Sequence, residues 1–521
     1  MTSAVPVAAA LLDSSRVDPY GATDAAGGLI SRSMEDQIGL GQGDVYTPYS
    51  SAYIIARDPV RAVRRGRQLF QRKFSEQEGL GPRVNYQSSG DITSHRALGA
   101  GLSDSCSSCH GSPKGSAGFG GNVATFPDGR DAPHLFGLGI VEQLAEEMTE
   151  DLREDRRTAK QKAAKTGDRI TRQLVTKGVD FGYLIVWPNG KEEYHLLEGV
   201  DSDLRVKPFF AQGKTASMRE FINGAFKDEM GLESFDPVLC AATDPVNPQR
   251  VVSVGGFVYD PAVDTFERPV SCDASADNDG DGVTAELDPA LIDYMEFYLL
   301  NYFKPGRGDI NVYTRTGRKL MKSIGCTSCH VPSLTIDTDR RIADVETKYD
   351  AQRGGVFNKL YSEVSGLFEA HEDEYAYPKL LAKGDSFKVK NFFSDLKRHD
   401  LGELFHERDY DGSMITEHVT EPLWGVGSTA PYGHDGRSID LHEVIMRHGG
   451  EAQHSRDAYA ESSLEDQLQI QLFLRSLVIF PPDDTASNLN PGDPNAHPQD
   501  PAGHGNIKLP NLFTMPELGG E

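Results

Sequence analysis

Apolar positions recur at helical spacing in several stretches of the chain. After Asp58 and Pro59 the run DPVRAVRRGRQLFQRKF predicts a helix, with proline in the first turn where its missing N–H costs nothing. In SMREFINGAFKDEMGL (217–232), Met218, Phe221, Ile222, Ala225 and Phe226 share one helical face. DPALIDYMEFYLLNYF (288–303) predicts a further helix entered through Asp288 and Pro289. SSLEDQLQIQLFLRSL opens with a capping box, Ser462 and Glu465, and keeps a leucine stripe. Between residues 180 and 270 the period shortens, and FGYLIVW and VVSVGGFVYD read as strands.

Two helical stretches echo each other. GRQLFQ (66–71) and GRKLMK (317–322) each lie upstream of a cysteine pair followed by histidine, a weak internal repeat that predicts two related modules. The expected boundaries are an irregular arm rich in Gly, Ser, Ala and Asp (1–55), an N-terminal module with an insertion (56–300), a C-terminal module (301–480) and a tail (481–521). That tail holds eight prolines in 41 residues, so it should be extended.

At 521 residues the chain is too long for one ordinary core. A net charge of −25 argues against nucleic acid as a partner, because a phosphate backbone would be repelled, and suits a cationic protein. No run approaches 18 apolar residues, so no transmembrane segment is expected. MTSAVPVAAALLDSS has a short apolar run without a basic region before it, so no export signal is legible.

The six cysteines sort into three pairs. Cys240 and Cys272 are left over, as one disulfide or as two free thiols. The other four form SCSSCH and GCTSCH, placing Cys106, Cys109 and His110 in one pentapeptide and Cys326, Cys329 and His330 in the other. A joint zinc site could use two such pairs, and redox C-x-x-C motifs need no adjacent histidine. Covalent haem attachment needs all three residues: two thiols to add to the vinyl groups and a histidine placed beneath the iron. By composition, about a few thousandths of one such pentapeptide is expected in the chain, and there are two. Two covalently bound haem c groups are therefore expected, chemistry that belongs in a periplasmic or otherwise exported setting.

The segment TEPLWGVGSTAPYGHDGRSIDLHEVIMRHGGEA (420–452), together with NFFSDLKRHDLGE (391–403), resembles the dihaem oxidoreductase branch of the bacterial dihaem cytochrome c peroxidase superfamily. That group includes the maturation enzyme of methylamine dehydrogenase and the latex-cleaving rubber oxygenase. The resemblance spans about residues 60–480 and is weakest between 150 and 205. It implies a mainly α fold: two cytochrome c-like haem domains with an inserted, partly β segment and long irregular loops.

Carried over by position, the resemblance implies His448 as the second axial ligand of the C-terminal haem, opposite His330, with Met446 as runner-up. It implies calcium between the haems, held by Asp131, Thr429 and Pro431. The N-terminal haem, on His110, becomes the reactive one, with Glu229 or Glu142 as distal acid–base group, Phe226 as a cover, and His434 in an inter-haem hydrogen-bond network. No residue matches the tryptophan that peroxidases carry between their haems; Trp187 and Trp424 are the two tryptophans present. Separately, DNDGDGVTAELD (277–288) sets Asp277, Asp279 and Asp281 at calcium-loop spacing, with Gly282 at the turn and Asp288 where the loop usually ends in glutamate.

The expected activity is reaction with hydrogen peroxide at the N-terminal haem, with electrons relayed through the C-terminal haem to or from a small redox protein. Two alternatives stand beside it. One is dioxygen chemistry on an organic substrate. The other is a non-enzymatic electron-transfer cytochrome in which His134 completes the first haem.

Overall fold

The computed structural model describes residues 47, 50–81, 103–112, 116–120, 131–278, 280–303, 306–308, 310–349, 360–372, 378–382, 384–408 and 413–479. The expected arm (1–55) falls mostly outside them, and the Pro-rich tail (481–521) wholly outside. The helices that position the site are α1 (Pro59–Gln71), α2 (Leu138–Thr166), α3 (Met218–Ala225), α4 (Pro289–Asn301), α5 (Val312–Ser323), α6 (Leu441–Arg447) and α7 (Leu464–Arg475). An antiparallel sheet of β1 (Ile170–Thr176), β2 (Val179–Val186) and β3 (Glu192–Leu197) follows α2 directly. The remaining strands pair two by two. Among the described residues no helix is long and apolar enough to cross a membrane.

The sequence repeat has a packing explanation. α1 starts where Asp58 accepts the Arg61 N–H at 3.0 Å, and its buried face lies on α4. At the crossing stands Gly66, where a Cβ would come within 2.2 Å of the Tyr298 Cβ and 2.3 Å of the Tyr294 carbonyl oxygen. Its counterpart Gly317 lets α5 cross α7, where a Cβ would lie 1.8 Å from the Gln469 carbonyl oxygen. Each attachment segment is thus preceded by a helix seated, through a glycine, on a second helix. Two hydrophobic clusters result, one with Cys106 packed against it and one with Cys326.

α2 was not read from the sequence. It runs 29 residues, ends at Gly167 in the left-handed region (φ +74°), and carries β1 against its outer half. The N-cap of α7 also differs from the expectation. Ser463, not Ser462, accepts the Asp466 N–H, at 3.1 Å. Ser462 instead closes the preceding helix, Gln453–Glu461, its hydroxyl donating to the Ala458 carbonyl at 2.7 Å. Cys240 and Cys272 are joined as a disulfide with Cα atoms 5.7 Å apart, which settles the alternative left open above.

A buried ion cluster ties α3 to α4. Arg219 places Nε 2.7 Å from Asp236, and Nη1 2.8 Å from both Asp293 and Glu296, with all four side chains sealed from solvent. Burial pushes Asp293 and Glu296 upward, Glu296 to about 6, and the Arg219 guanidinium opposes that rise. The carboxyl of Glu296 therefore favours folding most below its unfolded value and loses that contribution as pH rises through about 6. Arg219→Met leaves these acids without their cation. It is expected to cost about 3–5 kcal/mol at pH 7.5 and less at pH 5, where the carboxyls accept protons. Urea midpoints at the two pH values check this; an equal deficit at both would contradict it.

Candidate functional site

The first pentapeptide forms a single helical turn, Cys106–His110. Residues 116–120 fold back over it, with Ser112 and Phe119 exchanging backbone hydrogen bonds at 2.8 and 2.7 Å. Gly120 is required there, since a Cβ would stand 1.9 Å from the Cys109 carbonyl oxygen. His110 donates its Nδ1–H to the Pro133 carbonyl at 2.7 Å, which leaves the Nε2 lone pair uncommitted. Burial pushes this imidazole down to about 4, so it is neutral. It also pushes the Cys106 thiol up to about 12, with Cys109 adding to the rise. None of the four pentapeptide cysteines is in a disulfide.

The second pentapeptide repeats the arrangement with different backbone. Gly325 (φ +93°) turns the chain into Cys326–Ser328, and His330 donates Nδ1–H to the Phe393 carbonyl at 3.0 Å. His448 caps the C-terminus of α6 and donates Nδ1–H to the Val444 carbonyl at 2.7 Å. Burial lowers His330, and takes His448 to about 4, with His330 near enough to contribute. All three rings keep some accessible surface although burial strongly disfavours their charge.

The HDG turn explains how His448 is held. Asp435 grips Arg447, with Nη2 at 2.7 Å and Nη1 at 3.1 Å, and Arg447 also reaches the Leu404 carbonyl at 2.9 Å. The Phe405 ring then lies 5.3 Å from that of His448. Met446, the runner-up ligand, packs partly buried against the second hydrophobic cluster.

His134 is committed elsewhere. Its Nε2 donates to the Trp424 carbonyl at 2.8 Å, and its Nδ1 accepts the Phe136 N–H at 3.2 Å. Neither nitrogen keeps a lone pair for a metal, so the expectation of His134 as an axial ligand fails on hydrogen bonding. The same contacts place Trp424. Its indole is 3% exposed and sits 5.0 Å from the Phe392 ring and 5.5 Å from Phe303. It therefore packs between the segment that holds His110 (Pro133–His134) and the segment that holds His330 (Phe392–Phe393).

Of the distal candidates, Glu229 and Phe226 approach the first pentapeptide. Both lie in a π-helical turn, Phe226–Met230, that continues α3. The Phe226 ring is 5.7 Å from Phe74, whose N–H donates to the Asp104 carbonyl at 2.7 Å. Burial raises the Cys109 thiol, and the Glu229 carboxylate adds to that rise. Glu142 is used differently. It is buried and accepts the Met218 N–H at 2.6 Å, anchoring the N-terminus of α3. Glu421, which carries no sequence signal, is exposed by surface area, yet burial pushes its carboxyl up to about 7. It stands at the start of the segment that carries Trp424.

Asp131 lies against the HDG turn, its N–H donating to the His434 carbonyl at 3.0 Å. Burial, then Asp435, pushes its carboxyl up to about 7, and among the described residues its buried Oδ1 has no hydrogen-bond partner. Thr429 and Pro431 are half-buried just upstream of that turn. In the other calcium candidate, Asp277 accepts the N–H groups of Gly280 and Gly282 at 2.7 and 3.0 Å, and Asp281 accepts that of Val283 at 2.7 Å. Asp288 caps α4 through the Ala290 N–H at 2.7 Å, while Asp279 lies outside the described residues.

His399, His418 and Glu407 were not singled out from the sequence, whereas His434 was. His399 is clamped by Asp395 at 2.9 Å and Glu451 at 2.8 Å. Against the effect of burial, hydrogen bonds to Asp395 and Cys329 push it up to about 11, so it is a fixed cation beside the second pentapeptide. His434 stacks on His418, and its Nε2 lies 3.3 Å from Glu407.

Residues 382–477 match the family model described as "Di-haem oxidoreductase, putative peroxidase". A search of curated proteins finds no match to the chain. The pyridine haemochrome of the purified protein is expected to give two thioether-linked haems per chain. Cys106→Ala with Cys109→Ala should leave one, and haem lost on acid–acetone extraction would contradict covalent attachment.

Proposed function

We propose, from the match to the dihaem oxidoreductase model, that this protein is an exported c-type dihaem enzyme of peroxidase-like activity. Cys106, Cys109 and His110 would hold one haem, which would supply the chemistry with hydrogen peroxide. Cys326, Cys329, His330 and His448 would hold the other, which would pass electrons from a small redox protein. The observation that carries this reading is the common state of His110, His330 and His448. Each is neutral and donates Nδ1–H to a backbone carbonyl, leaving Nε2 as the donor an iron needs.

When bound, the haems supply one-electron and peroxide chemistry. The chain supplies placement, proton handling and insulation. At the first site Glu229 is the group for moving a proton between the two peroxide oxygens, with Phe226 and Phe74 excluding water. A non-enzymatic carrier needs a second axial ligand there, and His134 has both nitrogens spent. Trp424 is the aromatic group best placed to couple the two sites, and Asp131 is the acid that suits calcium between them. The Cys240–Cys272 disulfide supports an oxidising compartment, and the charge of −25 favours a cationic redox partner. The two glycine-mediated helix crossings support two cytochrome c-like modules.

Stopped-flow mixing with hydrogen peroxide tests the reading. A shift of the Soret band from one of the two haems within milliseconds is expected, followed by turnover with a reduced cytochrome. Glu229→Gln should slow the first phase about 10²- to 10⁴-fold while leaving peroxide-independent reduction intact. An unchanged spectrum under excess peroxide would contradict the proposal.

A further inference from the structure

Across Phe405 from His448, three side chains converge that haem binding does not require. The Phe405 ring lies 6.1 Å from His434 on one side and 5.3 Å from His448 on the other. His434 comes from the HDG turn, His418 from the strand Glu417–Val419, and Glu407 from the strand Glu407–Arg408. The two imidazoles stack with centroids 4.2 Å apart and planes inclined by 17°. His434 Nε2 is 3.3 Å from Glu407 Oε2, and His418 Nε2 is 3.9 Å from Glu407 Oε1. One ligand atom from each residue can be chosen so that all lie within 4.8 Å of one another.

His418 gives the cluster its meaning. It is 4% exposed, and among the described residues neither ring nitrogen has a hydrogen-bond partner. Leaving a buried polar group unsatisfied costs about 1–3 kcal/mol, and native structures rarely tolerate it without an ion or water. The Gln212 amide donates to Glu407 Oε1, an outer contact that orients the carboxylate.

We infer that Glu407, His418 and His434 bind a divalent transition-metal ion of the zinc class, separate from both haems and from the hard-cation position at Asp131. Two imidazole nitrogens and one carboxylate oxygen select such an ion over calcium or magnesium, which take all-oxygen shells. In a tetrahedral zinc site the ligand atoms stand about 3.3 Å apart, the spacing the Glu407–His434 pair already has. Modest side-chain rotation closes the rest, and a fourth position stays open for water or an exogenous ligand. The ion would pin three separate segments together, and with them the backbone at Asp131, which donates its N–H to the His434 carbonyl at 3.0 Å.

The test uses the full-length holoprotein, treated with chelator and then dialysed against micromolar Zn²⁺, with metals counted by plasma mass spectrometry. One zinc per chain in addition to the haem iron is expected. Glu407→Gln and His418→Gln should each weaken uptake by about 10- to 100-fold or more with the two-haem spectrum retained, while Asp131→Asn leaves uptake unchanged. No zinc uptake by the wild-type protein, or uptake by both variants equal to that of the wild type, would overturn the assignment. Should the variants lose their haems, zinc K-edge absorption on the wild-type protein decides. A shell containing two imidazoles supports the site, and a sulfur-ligated or all-oxygen shell refutes it.

Discussion

An imidazole can serve beneath a haem iron only when its far nitrogen is held, because the held proton fixes both the tautomer and the angle of the ring. In this protein that hold is never local to the pentapeptide. His110 depends on the Pro133 carbonyl and His330 on the Phe393 carbonyl, each supplied by chain lying 23 and 63 residues downstream. Much of the surrounding architecture can be understood as what brings those two carbonyls into place. Trp424 acts on both: its carbonyl takes the His134 Nε2–H next to Pro133, and its ring packs on Phe392 next to Phe393. The two attachment sites are therefore braced against one residue rather than placed independently.

The helices supply the rigid frame for this. Gly66 and Gly317 permit two close crossings, so the chain entering each pentapeptide is fixed by backbone contact rather than by adjustable side chains. Charge has a comparable effect at greater depth. Arg219 joins α3 to α4 where no solvent reaches, and α3 leads straight into the π turn that presents Phe226 and Glu229. The Asp435–Arg447 pair fixes the end of α6 and so the direction of His448. His399, clamped between Asp395 and Glu451, stands beside Cys329 at the second site.

How much of this was legible depended on range. α1 and α4 follow from Asp-Pro starts and apolar spacing, both local signals, and the structure has them at those positions. The pentapeptides are also local, and GRQLFQ/GRKLMK reported a real packing equivalence. α2 escaped because its outer half is mostly charged, with Ala159 and Ala163 the only buried positions after Arg153. The shift of the α7 cap from Ser462 to Ser463 reflects a preceding helix that the apolar pattern does not reveal. At the site, His134 looked available because its proximity to the first motif is a sequence fact, whereas its bond to the Trp424 carbonyl is tertiary. Glu407, His418 and Glu421 offered no pattern, since their roles arise from strands and turns that meet only after folding.

The central claim is an asymmetry between two haem sites built from near-identical pentapeptides: one with a single protein ligand at His110, one closed by His330 and His448. Electron paramagnetic resonance of the oxidised holoprotein tests it most directly. One high-spin and one low-spin ferric signal of equal intensity are expected, with the low-spin signal lost in His448→Ala. Two low-spin signals in the wild-type protein would contradict the account.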